Sequence, residues 1–198
     1  MAHSTAGYLL LAALDTALAG AGRERPRRLT KPLLMPALAA GRDGPTRTAL
    51  ALSGAGDVAL LLPGRVAFTA GLGSFLAAHV AWIRALRERP GGGRVAERPT
   101  LVLPYGAAWL ALNAVLWRRT GPDRWPVVVY SAVLAAMAVA ALDTDDVPTA
   151  VGGALFMTSD ALLALERFAG VELPAHEGLV MASYTAAQLL LASSGTTG

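Results

Sequence analysis

The chain has 198 residues, 54% hydrophobic and only 16% charged, against about 25% charged in a soluble domain, so an ordinary soluble protein is excluded and an integral membrane protein is indicated. The net charge is +3, and 16 of the 17 basic residues are arginines clustered between apolar runs, which reads as headgroup contact and topology signal and not as nucleic-acid binding. The chain has no cysteine, so disulfides and thiolate-held metals are excluded.

In chain order, the first apolar run, about 4–20, contains Asp15. It lacks a basic leader and a small-residue cleavage site, so it reads as a first span and not as a signal peptide. A basic loop follows, with Arg23, Arg25, Arg27 and Arg28. The second run, 29–40, opens on Lys31-Pro32 and contains Pro36, and is short for a hydrocarbon core of about 30 Å. The third, 47–62, ends at the turn Pro63-Gly64. The fourth, 66–86, carries Gly71, Gly73, Phe75 and His79. The charged, glycine-rich stretch from Arg87 to Arg98 is expected as a solvent loop. The fifth run, 100–117, holds Pro104 and Asn113. The sixth, 125–142, ends at Asp143, Asp145 and Asp146. The seventh, 147–166, starts on Pro148, and the eighth, 176–191, runs into a Ser/Thr/Gly tail.

This pattern predicts an all-α, polytopic membrane protein: a single domain over 1–198 built as an eight-helix transmembrane bundle with both termini on one side. Trp82, Trp109, Trp117 and Trp125 fall near span ends or one turn inside, which suits an interfacial belt. The terminal face collects seven arginines and the opposite face ten basic residues, which leans toward termini outside.

Two carboxylates lie deep inside apolar stretches. Asp160 sits within Val147–Leu165, and helical spacing puts Gly153, Phe156 and Asp160 on one face. Asp57 closes Ser53-Gly54-Ala55-Gly56-Asp57, whose small residues let another helix approach. An ionised carboxylate at mid-bilayer costs about 3 kcal/mol even on lenient scales, so such residues are functional candidates. The bland alternative is a carboxylate neutralised by a buried arginine or lysine. Asp15 reads more readily as a helix–helix hydrogen-bonding group. Lys31 either snorkels to the interface or pairs with a phosphate or an aspartate. His79, alone on an apolar helix, reads more often as a hydrogen-bonded structural residue. Tyr184 and Gln188, one turn apart, are interhelical glue or a headgroup cradle. Met137, Met157 and Met181 read as core. His3 and His176 lie near the ends, which argues against a three-histidine metal site. There is no Gly-x-Ser-x-Gly elbow and no Walker motif, and no cofactor is called for.

Several of these residues fall into an ordered set. The set comprises Lys31-Pro32 with Met35-Pro36; Ser53-x-x-Gly56-Asp57; Phe68-x-x-Gly71-x-x-x-Phe75-x-x-x-His79; Tyr130 and Met137; Gly153-Ala154-x-Phe156-x-x-Ser159-Asp160; and Tyr184-x-x-x-Gln188. In this order the sequence resembles the YhhN family, bacterial relatives of the mammalian transmembrane lysoplasmalogenases. Trp82 departs from the tyrosine expected there in many relatives. The resemblance implies an eight-helix membrane hydrolase that cleaves the vinyl ether bond of a lysophospholipid among the membrane lipids. The products would be a fatty aldehyde and a glycerophospho-headgroup.

A vinyl ether opens by protonation of its β-carbon, which gives an oxocarbenium ion that water then attacks. Two aspartates can supply the acid, the stabilising anion and the base for water, without metal or serine. Asp57 and Asp160 are the candidates, in either assignment. Lys31 and His79 are candidates for the phosphate, and Ser53, Tyr130, Ser159, Tyr184 and Gln188 for the rest of the substrate. The alternative is a proton- or cation-coupled transporter, or a lipid-binding protein, using the same aspartates.

Overall fold

The computed structural model describes residues 2–193, with side chains from Thr5 onward. The His3 side chain and the tail from 194 on lie outside the described residues. Among the described residues the chain is helical throughout, with no strand. The helices are α1 (Ala2–Gly20), α2 (Glu24–Ala39), α3 (Gly44–Leu60), α4 (Arg65–Arg87), α5 (Arg94–Glu97), α6 (Leu103–Leu116), α7 (Arg124–Asp143), α8 (Val147–Ala169) and α9 (His176–Ser193). Short 3₁₀ turns, Pro99–Val102 and Gly121–Asp123, lead into α6 and α7. Four segments are long and apolar enough to cross a membrane: Arg65–Arg87, Pro99–Leu116, Gly121–Asp143 and Val147–Ala169.

The packing closes on itself. Each of α1, α2, α3, α4, α7, α8 and α9 packs against the next, and α9 returns to α1. These helices form a ring, and α6 lies outside it against α7 and α8. The interior is filled by buried side chains such as Leu34, Leu50, Met137 and Phe156.

α8 is the most constrained member of the ring. Asp146 caps its start by accepting a hydrogen bond from the Thr149 backbone N–H, and Pro148 occupies the first turn, where a missing N–H costs nothing. Gly170, with φ +64°, ends it in the left-handed region. Between these stops Gly152 and Gly153 face opposite neighbours. A Cβ on Gly153 would stand 3.0 Å from the Ala138 Cα on α7, and one on Gly152 would stand 3.1 Å from the Leu191 nitrogen on α9. Two adjacent glycines thus let α8 wedge between two helices at backbone contact.

Three details differ from expectation. α2 begins at Glu24, so the arginines assigned to a loop form its first turns. Arg27 is buried there because Asp15, Glu24 and Glu177 surround its guanidinium. At 16 residues α2 still measures only about 24 Å. The Arg87–Arg98 stretch is not all loop. Asp143 Oδ1 accepts from the Gly93 and Val95 backbone N–H groups, at 3.2 and 2.8 Å, and starts the helical turn α5. Trp82 is not interfacial but fully buried in the core. Trp117 and Trp125, by contrast, are exposed and pack edge-to-face at 5.7 Å.

The ring is tied shut at one end. Arg89 donates to Thr149 Oγ1 at 3.2 Å and to the Leu191 carbonyl at 2.6 Å, and Arg42 donates to the Ala192 carbonyl at 3.1 Å. These guanidinium groups occupy carbonyls that the last turn of α9 leaves without helical partners. The site lies toward the other end.

Candidate active site

A cavity of about 270 Å³ opens among α2, α3, α4, α7, α8 and α9. Its lining comes from the start of α2 (Glu24, Arg27), the end of α3 (Leu60), the start of α4 (Phe68), the end of α8 (Arg167) and the start of α9 (Glu177). All of these are at the face of the ring opposite the arginine ties. Deeper inside, Asp57, Tyr130, Asp160 and Tyr184 line the same cavity. The α3 carboxylate and the α8 carboxylate therefore share one hollow.

Each carboxylate is held by a tyrosine, and each tyrosine by a nitrogen behind it. On one side the Tyr184 hydroxyl donates to Asp57 Oδ2 at 2.7 Å and accepts from Gln188 Nε2 at 3.2 Å. On the other, the Tyr130 hydroxyl donates to Asp160 Oδ2 and lies 3.1 Å from His79 Nε2. With the Tyr130 proton committed to Asp160, the His79 contact requires Nε2–H as donor. His79 Nδ1 then has no hydrogen-bond partner among the described residues. Phe156 stands between the two relays, edge-on to His79 at 4.8 Å and to Tyr184 at 5.5 Å.

The two acids differ in their counter-charges. Lys31 Nζ lies 3.5 Å from Asp57 Oδ1. Among the described residues Asp160 has no lysine or arginine within 4.0 Å, and the His79 imidazole lies at that limit. A buried carboxylate needs a paired cation or a proton, so the two sites favour different forms of the same side chain.

Of the residues singled out in the sequence, Lys31, Asp57, Tyr130, Ser159, Asp160 and Tyr184 line the cavity. The Ser159 hydroxyl is engaged with the Val180 carbonyl at 3.1 Å and ties α8 to α9. His79 and Gln188 are fully buried behind their tyrosines and do not reach the hollow. Ser53 is buried on α3 with its hydroxyl unpartnered among the described residues, away from the cavity. Asp15 accepts from Thr30 Oγ1 at 2.5 Å and faces Arg27 Nε at 3.6 Å, a helix–helix role.

Sequence reasoning missed the mouth. Arg167 lies over the Phe68 ring, 3.7 Å from its centroid, and has no carboxylate within 4.0 Å among the described residues. Arg27 is occupied by Asp15, Glu24 and Glu177, and Lys31 by Asp57. Helical periodicity carried the signal. Arg167 is seven residues after Asp160, Glu24 seven before Lys31, and Glu177 seven before Tyr184, so each mouth residue continues a stripe already identified.

Helices long and apolar enough to cross a membrane, around one buried and one part-buried carboxylate that face a common cavity, are those of a helical membrane-type protein with an interior polar site. The chain belongs to the YhhN family, which matches residues 26–195. It is 36% identical over 156 residues to a lysoplasmalogenase of Mycobacterium tuberculosis, a match covering 72% of this chain and 57% of that protein. A lysoplasmalogenase of Mycobacterium bovis matches to the same extent. The chain thus spans less than two thirds of the length of these curated relatives. No solved structure matches.

Proposed function

We propose that the protein is an intramembrane hydrolase of a bacterial cell membrane that cleaves the vinyl ether bond of a lysoplasmalogen. The observation that carries this reading is that Asp57 and Asp160, from distant parts of the chain, line one cavity, each fixed by a tyrosine hydroxyl. The mycobacterial relatives named lysoplasmalogenase supply the substrate class. All eight long helices cross the bilayer in this reading, and the cavity opens toward the face richer in basic residues, the cytoplasmic one.

The unequal counter-charges divide the labour. Asp160, lacking a cation, carries the proton and delivers it to the β-carbon of the vinyl ether. Asp57, paired with Lys31, stays anionic, stabilises the oxocarbenium ion and takes a proton from the attacking water. As the hemiacetal collapses, Asp57 gives its proton to the departing glycerol oxygen and Asp160 takes the proton of the hemiacetal hydroxyl. One water is consumed, the products are the aldehyde and the glycerol hydroxyl, and both carboxyl groups return to their starting forms. Tyr130 and Tyr184 orient the acids, while His79 and Gln188 orient the tyrosines and do not touch the lipid. Ser159 shapes the wall. Arg167 is the mouth cation left for the lipid phosphate, because Arg27 and Lys31 already face carboxylates.

The experiment is aldehyde release from lysoplasmalogen by the purified protein in detergent. Release expected above a heat-treated control supports the reading, and none with either an ethanolamine or a choline headgroup contradicts it.

A further inference from the structure

A second cavity, also about 270 Å³, lies between α6 and the ring. Trp109 and Leu112 of α6, Leu134 of α7, and Met157 and Ala161 of α8 line it. Its wall is not independent of the first. Val127, Tyr130, Asp160 and Ala164 line both cavities. Asp160 and its tyrosine therefore stand in the partition between a hollow with a charged mouth and one that is almost wholly apolar.

The few polar groups of the second cavity are already committed. Trp109 Nε1 donates to Ser131 Oγ at 3.1 Å, and the Thr158 hydroxyl donates to the Ala154 carbonyl at 2.9 Å. Asn113, close by but not in the lining, donates its amide nitrogen to Ser131 at 3.1 Å and leaves its buried Oδ1 without a partner among the described residues. Apart from the partition pair, the cavity offers a ligand only hydrocarbon contact. Its outer wall, α6, packs on the ring through α7 and α8, and the span Pro99–Leu116 that contains it is the least buried of the four candidate spans.

We infer that this cavity is the subsite for the apolar chain of the lipid substrate. The inference rests on the hydrolase reading for the identity of that lipid. The headgroup enters by the charged mouth, the chain lies between α6, α7 and α8, and the ether linkage meets Asp160 at the partition. A headgroup finds no free polar partner in the second cavity, whereas Arg27, Glu166, Arg167 and Glu177 gather charge at the mouth of the first.

The test uses a lysophospholipid whose chain is joined by a saturated ether, which the reaction leaves intact, and carries a photoreactive diazirine near its end. Irradiation with the full-length protein, followed by peptide mass spectrometry, is expected to place the label on Trp109–Leu112 and Met157–Ala161. Ala161→Phe fills the cavity and is expected to cut that labelling at least fivefold. If this variant does not elute as folded protein, Leu112→Trp serves the same purpose. Label confined to other helices, or label in the cavity unchanged by a folded filling variant, overturns the inference. Label in the cavity from a protein that releases no aldehyde supports the chain subsite while contradicting the hydrolase.

Discussion

Tyr184 on α9 donates its hydroxyl proton to Asp57 on α3 at 2.7 Å, a hydrogen bond that bridges 127 residues of chain. Tyr130 does the same for Asp160 from the adjoining helix. The site therefore consists of two acids of one chemistry in two settings. One setting contains an ammonium group, and the other a neutral donor relay ending in an imidazole.

Removing the ammonium group is expected to damage the fold before it damages chemistry. Lys31→Met leaves Asp57 buried without its cation and should lower stability by about 3 kcal/mol. Combining it with Asp57→Asn removes the stranded charge and should restore most of that loss. Thermal unfolding in detergent of the two single variants and the double variant reads the coupling.

Removing a tyrosine hydroxyl has a smaller effect. Tyr130→Phe and Tyr184→Phe each delete a hydrogen bond to a carboxyl group worth about 1.5–3 kcal/mol, so kcat should fall roughly 10- to 100-fold. His79→Gln preserves a donor behind Tyr130 and should lose less activity than His79→Leu. Comparison of kcat across these variants separates positioning from packing.

The mouth should behave as a binding element. Arg167→Ala is expected to raise KM about tenfold with kcat little changed, because the phosphate is held equally in ground and transition states. Arg167→Lys should recover part of the loss. Steady-state kinetics with one chain length and two headgroups measures both effects.

The helix contact behind Asp160 should be intolerant. Gly153→Ala pushes a methyl group against the Ala138 backbone and should cost about 1–3 kcal/mol. It also parts α7 from α8, and so Tyr130 from Asp160. Activity should therefore fall more than the change in melting temperature alone accounts for.

Much of the site was legible before the structure because burial of charge in an apolar run is conspicuous. Asp57 and Asp160 stand out in a sequence with 14 acidic residues because nearly all the others border loops. The glycines beside Asp57 announced a close helix approach, and Gly54 and Gly56 stand against Met35 of α2 and Phe75 of α4. The start of α2 was not legible. Hydropathy treats Arg25, Arg27 and Arg28 as loop, whereas Arg27 is buried by carboxylates that come from three different helices. Trp82 was misplaced for a related reason. Position near a span end is a property of sequence, but interior facing depends on the ring closing over it. The closure of α9 onto α1, and the exclusion of α6, follow from pairings between distant segments that no local pattern encodes.

The most direct measurement is aldehyde release by purified wild-type protein beside Asp57→Asn and Asp160→Asn, each shown to be folded. Acid–base catalysis by the two aspartates predicts that both single variants lose at least about a hundredfold in kcat, the scale of a lost acid or base. Wild-type rates in both folded variants would contradict it.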